Sequence, residues 1–446
     1  MIKDETPLDL LFTGGQVFTP DGLLEADIGI RKGRIAEIGR LAGAKAAETI
    51  DCRGLTLLPG VIDTQVHLRE PGNEHKEDLG TGTAAAALGG VTAICEMPNT
   101  KPPTTTAEAL ADKLARAKDR AWVDHAFFVG ATPENVDQLK TLERLPGCSG
   151  VKMFMGSSTG TLLVADDENV ARVLASGSRR VAVHAEDEAR LVERKHLAVG
   201  SPVNHPVWRD AETARRATER VLRLARAAKR RVHILHTTTA EEMVMLAQAK
   251  DIASVEVTPQ HLTLVAPECY ERLGTFAQMN PPIRDAGHRA ALWRAIDEGV
   301  VDVIGSDHAP HTREEKAAAY PNTPSGMPGV QTLLPLMLDH MNAGRLSLAR
   351  LVDLTSAGAA RIYGMIGKGA IVEGNDADIS IVDLKAKKRI TNQWIASRCG
   401  WTPFDGMQVT GWPMMTVIRG HVVMRDGALL GDPAGLPLRF KETASN

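Results

Sequence analysis

Eight short apolar runs, separated by segments of helical character, constrain the fold of this chain most strongly. Runs rich in β-branched residues alternate with Ala-, Leu- and Arg-rich stretches such as AETARRATERVLRLARAAKR. This alternation predicts an α/β protein with parallel strands joined by helices. Eight such units over roughly 300 residues favour a (β/α)8 TIM barrel over a doubly wound sheet. The candidate strands are Leu55–Asp63, Val91–Met97, Trp122–Val129, Gly150–Met155, Arg180–His184, Arg231–His236, Ala253–Val257 and Val301–Asp307.

The two ends of the chain differ in texture from the middle. Up to about residue 58 and from about residue 366, short runs of alternating polarity are broken by Gly and Asp, as in LLFTGGQVFTPDG and MMTVIRGHVVMRDGALLG. Such runs are typical of β-hairpins. We predict that residues 1–57 and 366–446 form one small composite β-sandwich domain and that residues 58–365 form the barrel.

Charge and cysteine content exclude several classes of protein. The 446 residues carry 52 Lys and Arg against 55 Asp and Glu, so the chain has no broad basic field for nucleic acid or an anionic membrane. We find no uncharged apolar run long enough for a transmembrane helix, and the N-terminal stretch lacks the apolar region of a signal peptide. The five Cys are scattered and form no CxxC pair, which favours the cytoplasm over an oxidising compartment.

Polar residues stand at the predicted strand ends, which in a barrel meet on one face and form the active site. They are Gln65, His67 and Arg69 at the first strand, Asn99 at the second, Lys152 in the fourth, His184 at the fifth, His236 at the sixth, and Asp307 and His311 at the eighth. Each could be a satisfied structural residue. Together, His, Lys and Asp have the composition of a metal or acid–base site. Lys152 lies inside an apolar strand, where an unpaired charge is costly.

These motifs resemble those of the dihydroorotase family within the cyclic amidohydrolase superfamily, and the resemblance covers nearly the whole chain. Its pieces, in order, are PGVIDTQVHLREPG, EMPNTKPPT, VKMFMGSSTG, VAVHAED, VHILHTTTAEE, MNPPIRD, GSDHAPH, SGMPGVQTLLPL and GNDADISIVDL. The resemblance implies a zinc-dependent enzyme that reversibly cyclises N-carbamoyl-L-aspartate to L-dihydroorotate in de novo pyrimidine biosynthesis. It implies attack by a metal-activated hydroxide, with Asp307 as general acid and base.

The resemblance also implies roles for individual residues. The matches to the family's metal ligands are His67, Lys152, His184, His236 and Asp307, and the family carboxylates this lysine on its amine so that it bridges two metals. The matches to its substrate-binding residues are Arg69, Asn99 and His311 for the carboxylate and Asn280 for the ring. A guanidinium binds a carboxylate through a bidentate fork, so Arg69 favours an acidic substrate over a hydantoin or allantoin.

Gln65 stands where the family pattern has the first histidine of its His-x-His pair. An amide oxygen is a weaker zinc ligand than imidazole. Three outcomes therefore stay open: two metals with a weakened first position, one metal held by Lys152, His184 and His236, or a homologue without catalysis. Since the other ligands all remain, we expect a working site with one or two zinc ions.

Other functions and partners stay open beside dihydroorotase. One is another cyclic amidohydrolase of the hydantoinase or allantoinase kind, and another is a non-catalytic dihydroorotase-like protein that supports a transcarbamoylase. A homodimer or a complex with a transcarbamoylase is compatible with the family. Two polar loops, GSSTGTLL after Lys152 and TREEKAAAYPNTPSG after His311, are either lids over the barrel mouth or plain surface connections.

Overall fold

The computed structural model describes residues 7–158 and 162–443. Within these ranges, eight parallel strands pair in chain order and curl into a barrel. A parallel bridge between Val66 and His308 joins the first strand to the segment after the last. The predicted TIM barrel is therefore confirmed. Its strands are β6 (Val61–Val66), β7 (Val91–Glu96), β8 (Asp124–Gly130), β9 (Cys148–Phe154), β10 (Val181–His184), β11 (Val232–Ile234), β12 (Ala253–Val257) and β13 (Val303–Ile304).

Helices lie between the barrel strands and after the last one. The longest, α7, begins after Asp210, whose carboxylate accepts a hydrogen bond from the backbone N–H of Thr213, and buries an apolar stripe that includes Val221 and Leu224. Nowhere in the described ranges is a helix long and apolar enough to cross a membrane. The helices are α1 (Leu79–Leu88), α2 (Ala107–Ala117), α3 (Leu139–Leu142), α4 (Asp167–Ala175), α5 (Glu188–Glu193), α6 (His205–Trp208), α7 (Ala211–Ala228), α8 (Ala240–Ala247), α9 (Pro259–Thr263), α10 (Glu268–Leu273), α11 (Ala286–Asp297), α12 (Arg313–Lys316), α13 (Leu333–Asn342), α14 (Leu348–Val352) and α15 (Gly358–Tyr363).

Strands from both ends of the chain share a second, mixed sheet. Its strands are β1 (Leu8–Thr19), β2 (Gly22–Arg31), β3 (Arg34–Gly39), β4 (Ala46–Asp51), β5 (Thr56–Pro59), β14 (Ile379–Arg389), β15 (Gln408–Ile418), β16 (His421–Arg425) and β17 (Ala428–Leu429). β5 pairs with β14, and Phe12, Ile28, Ile379 and Val417 contribute to one apolar core. The expected β-domain built from both termini is thus confirmed, whereas the boundaries at residues 57/58 and 365/366 stay a prediction.

The first predicted strand, Leu55–Asp63, was wrong in its extent, because the chain changes sheets within it. β5 belongs to the mixed sheet and β6 to the barrel, with Gly60 between them. The Gly60 N–H donates to the Asp378 carbonyl at 2.9 Å, and a Cβ at this glycine would lie 2.3 Å from the Thr92 hydroxyl. A continuous apolar run carries no signal for such a change of pairing partner.

The segment 434–440 crosses the barrel at the amino-terminal ends of its strands. The His125 N–H donates to the Leu436 carbonyl at 3.0 Å, and the Leu438 N–H donates to the His125 carbonyl at 2.8 Å. Leu438 and Phe440 are buried against interior barrel residues such as Phe128. This segment, which we call the floor segment, closes the end of the barrel opposite the predicted site.

Candidate active site

A pocket opens at the carboxyl ends of the barrel strands, where such barrels carry their active sites. It is lined by Gln65, His67, Arg69, Asn99, Lys152, Phe154, Ser158, His184, His236, Asn280, Asp307, Ala309, Ser325 and Gly326. The structure thus brings the predicted site residues together, with His311 directly behind Arg69: His311 Nε2 lies 3.2 Å from Arg69 Nη2. Sequence reasoning missed Phe154, although it faces the same side of β9 as Lys152 by strand alternation.

Three pocket residues have left-handed backbones. The φ angles of Arg69, His236 and Asp307 are 64°, 35° and 44°. Residues other than glycine seldom adopt this conformation, and it persists where the surrounding structure holds it. Each of the three lies two or three residues after the end of its barrel strand, β6, β11 or β13, so the backbone bends there and aims the side chain into the pocket.

One pair of potential metal donors joins the first and last barrel strands. His67 Nε2 lies 3.1 Å from Asp307 Oδ1, and Gln65 Nε2 donates to the same oxygen at 3.0 Å. Burial lowers the pKa of His67 to about 4. Burial alone would raise the pKa of Asp307, but the hydrogen bond from His67 and the nearby His236 hold that pKa below its usual range. Asp307 is therefore ionised at neutral pH, and Gln65 Oε1 is buried without a hydrogen-bond partner among the residues that the structure describes.

The second pair of donors consists of His184 and His236, whose Nδ1 and Nε2 atoms lie 3.0 Å apart. Glu186 Oε2 lies 2.9 Å from His184 Nε2 and pairs with Arg209 at 2.5 Å. Because the Glu186 carboxylate accepts a hydrogen bond from Nε2, the lone pair of His184 is on Nδ1, toward His236. Glu186 was also missed from the sequence, although it stands two residues after His184 in VAVHAED.

Lys152 is buried in the pocket that also contains these two pairs of donors. Its Nζ lies 4.5 Å from the centre of the Phe154 ring and makes no hydrogen bond or ion pair within residues 7–158 and 162–443. Burial lowers the pKa of this amine to about 7. A substantial fraction of Lys152 is thus unprotonated, and nucleophilic, at neutral pH.

The spacing of these donor atoms suits zinc, but their number does not complete a zinc site. In the described portion of the chain, no three His, Cys, Asp or Glu side chains come close enough to hold a metal ion. Two ligands of one zinc ion at about 2.1 Å lie about 3.4 Å apart in tetrahedral geometry. The observed separations of 3.0 and 3.1 Å within the two pairs are close to this value. Each pair therefore suits a shared ion and needs a further donor to complete the site.

Arg69 brings a positive charge into the pocket. It is only 4% exposed, its Nε donates to the Pro310 carbonyl at 3.1 Å, and no carboxylate forms an ion pair with it in the described residues. Burial lowers its pKa to about 10, so it remains a cation. His311 Nδ1 lies 3.2 Å from the Lys76 ammonium. Glu315 lies 3.0 Å from the same ammonium and neutralises it, so in the described residues Arg69 is the cation of this group that has no ion pair.

Of the two loops predicted at the barrel mouth, the structure describes the first in part and the second throughout. Residues 159–161 of the loop after Lys152 lie outside the described residues, and Ser158 lines the pocket. The loop after His311 contains α12, and the buried Lys316 Nζ donates to the carbonyls of Gln278 and Pro324 at 3.0 and 2.9 Å. This second loop is therefore anchored over the mouth.

Comparison with known proteins identifies the family of this chain. A model of the amidohydrolase family matches residues 56–423. The chain is 40% identical over 372 residues to a dihydroorotase of Halobacterium salinarum, covering 82% of this chain and 86% of that one. It is 34% identical over 442 residues to a dihydroorotase of Methanosarcina mazei, covering 95% and 96%.

The solved structure of an L-hydantoinase (dihydropyrimidinase) from Arthrobacter aurescens is similar over 97% of this chain and 99% of that one, with a TM-score of 0.91 and 30% identity. The relatives named above are hydrolases of cyclic amides. The family resemblance read from the motifs is thereby confirmed. This chain belongs to the amidohydrolase family and is an enzyme of the cyclic amidohydrolase kind.

Proposed function

We propose that this enzyme is a dihydroorotase, which interconverts L-dihydroorotate and N-carbamoyl-L-aspartate. The observation that carries the proposal is the buried Arg69 guanidinium, which lies in the same pocket as the two donor pairs and forms no ion pair within residues 7–158 and 162–443. Burying a lone charge is costly, and a substrate carboxylate would supply the missing anion through a bidentate contact. Asn99 and His311 would add hydrogen bonds to that carboxylate. A neutral cyclic imide offers no such group.

We propose zinc as the metal, as one or two ions. His184, His236 and Lys152 would hold one ion, and His67, Asp307 and Gln65 would hold a second. Bound zinc lowers the pKa of a water molecule to about 7 and polarises a carbonyl group. Carbon dioxide can add to the unprotonated Lys152 amine, forming an N–C bond and releasing one proton. This change converts a buried amine into a carboxylate with two oxygen donors.

Asp307 is the proposed proton carrier. Gln65 and His67 hold its Oδ1, and the lowered pKa keeps the carboxylate ionised until it takes a proton. In ring opening, Asp307 takes a proton from the attacking water and returns it to the ring nitrogen as the C–N bond breaks. In ring closure the same transfers run in reverse.

The decisive experiment compares dihydroorotate with dihydrouracil, the same ring without the carboxylate. The purified chain is supplemented with zinc, and a chelated sample is measured beside it. We expect metal-dependent turnover of dihydroorotate and much weaker turnover of dihydrouracil. Equal turnover of both rings would refute the proposed role of Arg69 and the proposed substrate.

A second candidate activity is hydantoinase-like. A groove next to the pocket shares Ser158, Asn280 and Ser325 with it and is lined further out by Leu191 and Trp208. Its lining is mixed, because Glu188, Lys195 and Arg209 also border it, and its apolar side would fit a bulky substituent on a cyclic amide, as 5-substituted hydantoins carry. Turnover of such hydantoins without turnover of dihydroorotate would favour this activity.

A third candidate is a non-catalytic partner of a transcarbamoylase in the cytoplasm. Gln65 is the departure that motivates it. A folded, zinc-loaded chain that turns over neither dihydroorotate nor any hydantoin, yet retains a transcarbamoylase in a pull-down, would support this role. Measurable dihydroorotate turnover would exclude it.

A further inference from the structure

His205, in the short helix α6, has a defined protonation state. It is fully buried, and its Nε2 lies 3.0 Å from the Met279 carbonyl oxygen and 2.9 Å from Asn280 Oδ1. A backbone carbonyl only accepts hydrogen bonds, so Nε2 must carry the proton. Nδ1 is buried and has no hydrogen-bond partner in the described part of the chain, which is compatible with the unprotonated nitrogen of a neutral ring. Burial lowers the pKa of His205 to about 3, so the ring stays neutral.

This tautomer fixes the side-chain amide of Asn280. The Nε2–H of His205 is a donor, so the amide atom facing it must be the oxygen, because the amide nitrogen would place two donors against each other. The other end of the amide, Nδ2, is then turned away from His205. Asn280 lines the pocket, and its Nδ2 donates no hydrogen bond to the protein within the described ranges.

We infer that His205 is a positioning residue that turns the Asn280 amide so that a hydrogen-bond donor faces the substrate. The inference rests on the proposed function, together with the contact between Asn280 and the substrate ring that the family resemblance implies. It deepens that function, because a donor at this position selects an acceptor on the ligand, such as a ring carbonyl or a carboxylate oxygen, and disfavours a ring N–H. Trp208 and Tyr320 pack edge-on against the His205 ring at 5.9 and 6.0 Å between centroids and keep it in place.

The first test asks which atom Asn280 presents. Asn280→Ala removes one hydrogen bond, so the KM for dihydroorotate should rise up to about tenfold. Asn280→Asp keeps the shape and the bond from His205 but places an acceptor in the pocket. It should therefore raise KM more than Asn280→Ala does, with zinc content unchanged. If the aspartate variant binds dihydroorotate as well as or better than the alanine variant, Asn280 presents its oxygen and the inference is overturned.

The second test asks whether His205 acts through Asn280. His205→Leu should raise KM several-fold while kcat changes little, and it should add no further effect in the Asn280→Ala background. His205→Gln should keep KM near the wild-type value, since the glutamine amide nitrogen can donate in place of Nε2. Circular dichroism and zinc content check that each variant folds.

The outcomes separate the two proposals. If His205→Leu and Asn280→Ala raise KM additively in an enzyme that turns over dihydroorotate, the inference is overturned and the proposed function is not. If the leucine variant does not fold, a glutamine variant with the same KM as Asn280→Ala overturns it as well. A wild-type chain that does not turn over dihydroorotate refutes the proposed function instead.

Discussion

Arg69 and Asp307 carry opposite charges and lie in one buried pocket. The sequence predicts only part of the set of residues that builds this pocket. The positions of Arg69 and Asp307 after barrel strands are visible in LREPG and GSDHAPH, so the candidate site could be predicted from strand ends. Glu186 and His205 could not, because each acts through another side chain. The contacts of Glu186 with His184 and of His205 with Asn280 depend on how the segments after the strands fold, and a strand pattern does not encode that.

Arg69→Met tests the anion site. The variant keeps an unbranched apolar stem and removes the guanidinium with its charge, so the KM for dihydroorotate should rise about 10- to 100-fold with little change in kcat. Steady-state kinetics measure both constants. Arg223→Met, at an exposed arginine on α7, is the matched control and should leave KM unchanged. An unaltered KM in the Arg69 variant would contradict the anion site.

Asp307→Asn tests the proton carrier. The amide has nearly the same shape and cannot take a proton, so kcat should fall by about 10²- to 10⁴-fold. Thermal unfolding should show that the chain still folds. Turnover near the wild-type rate would rule out this role for Asp307.

Gln65→His tests the first metal position. An imidazole there joins His67 and Asp307 as a stronger donor than an amide. The zinc content per chain, measured by elemental analysis after extensive dialysis, should rise relative to the wild type. A zinc content equal in both proteins would show that Gln65 does not limit metal binding.

At the scale of elements, short apolar runs that alternate with helical stretches predicted the barrel strands, because each buried strand is such a run. The same pattern missed the break at Gly60, since β5 and β6 are both apolar and differ only in the strands they pair with. Pairing across hundreds of residues depends on tertiary structure, and local pattern carries little information about it.

α2 is tied to β7 by a buried ion pair between Lys113 and Glu96. Lys113→Met leaves the Glu96 carboxylate buried and unpaired, so the free energy of unfolding should fall by about 3–5 kcal/mol. Urea denaturation measures this change. Arg226→Met, which breaks the exposed pair with Asp251, is the control and should cost at most about 1 kcal/mol. Similar losses of unfolding free energy in both variants would contradict the expectation that breaking the buried ion pair costs more than breaking the exposed one.

At the scale of the whole molecule, the floor segment and a network of charges join the barrel to the β-domain. Lys368 Nζ lies 2.6 Å from Asp124 Oδ2 at the start of β8, and Arg419 also pairs with Asp124. The composition of the two chain ends predicted a shared β-domain. It did not predict that residues after β17 would return to the barrel, because that segment has no regular pattern of polarity.

Leu438→Ala tests the floor segment. Leu438 is 2% exposed, so its truncation should lower the free energy of unfolding by about 2–5 kcal/mol through lost burial and a cavity. Leu436 lies two residues earlier and is 54% exposed, and Leu436→Ala is the matched control with little expected loss. Differential scanning calorimetry compares the two. Equal melting temperatures would show that the segment does not seal the barrel.

The sheet shared by both chain ends also contains neighbouring strands that are synthesised at very different times during translation. β5 ends at Pro59, whereas its partner β14 begins at Ile379, so the whole barrel is translated between them. Until β14 emerges, the outer edge of β5 has open backbone hydrogen-bonding groups, and such edges recruit other strands. Nascent chains of this enzyme are therefore exposed to misassembly at that edge, and slow translation of the barrel would lengthen the interval.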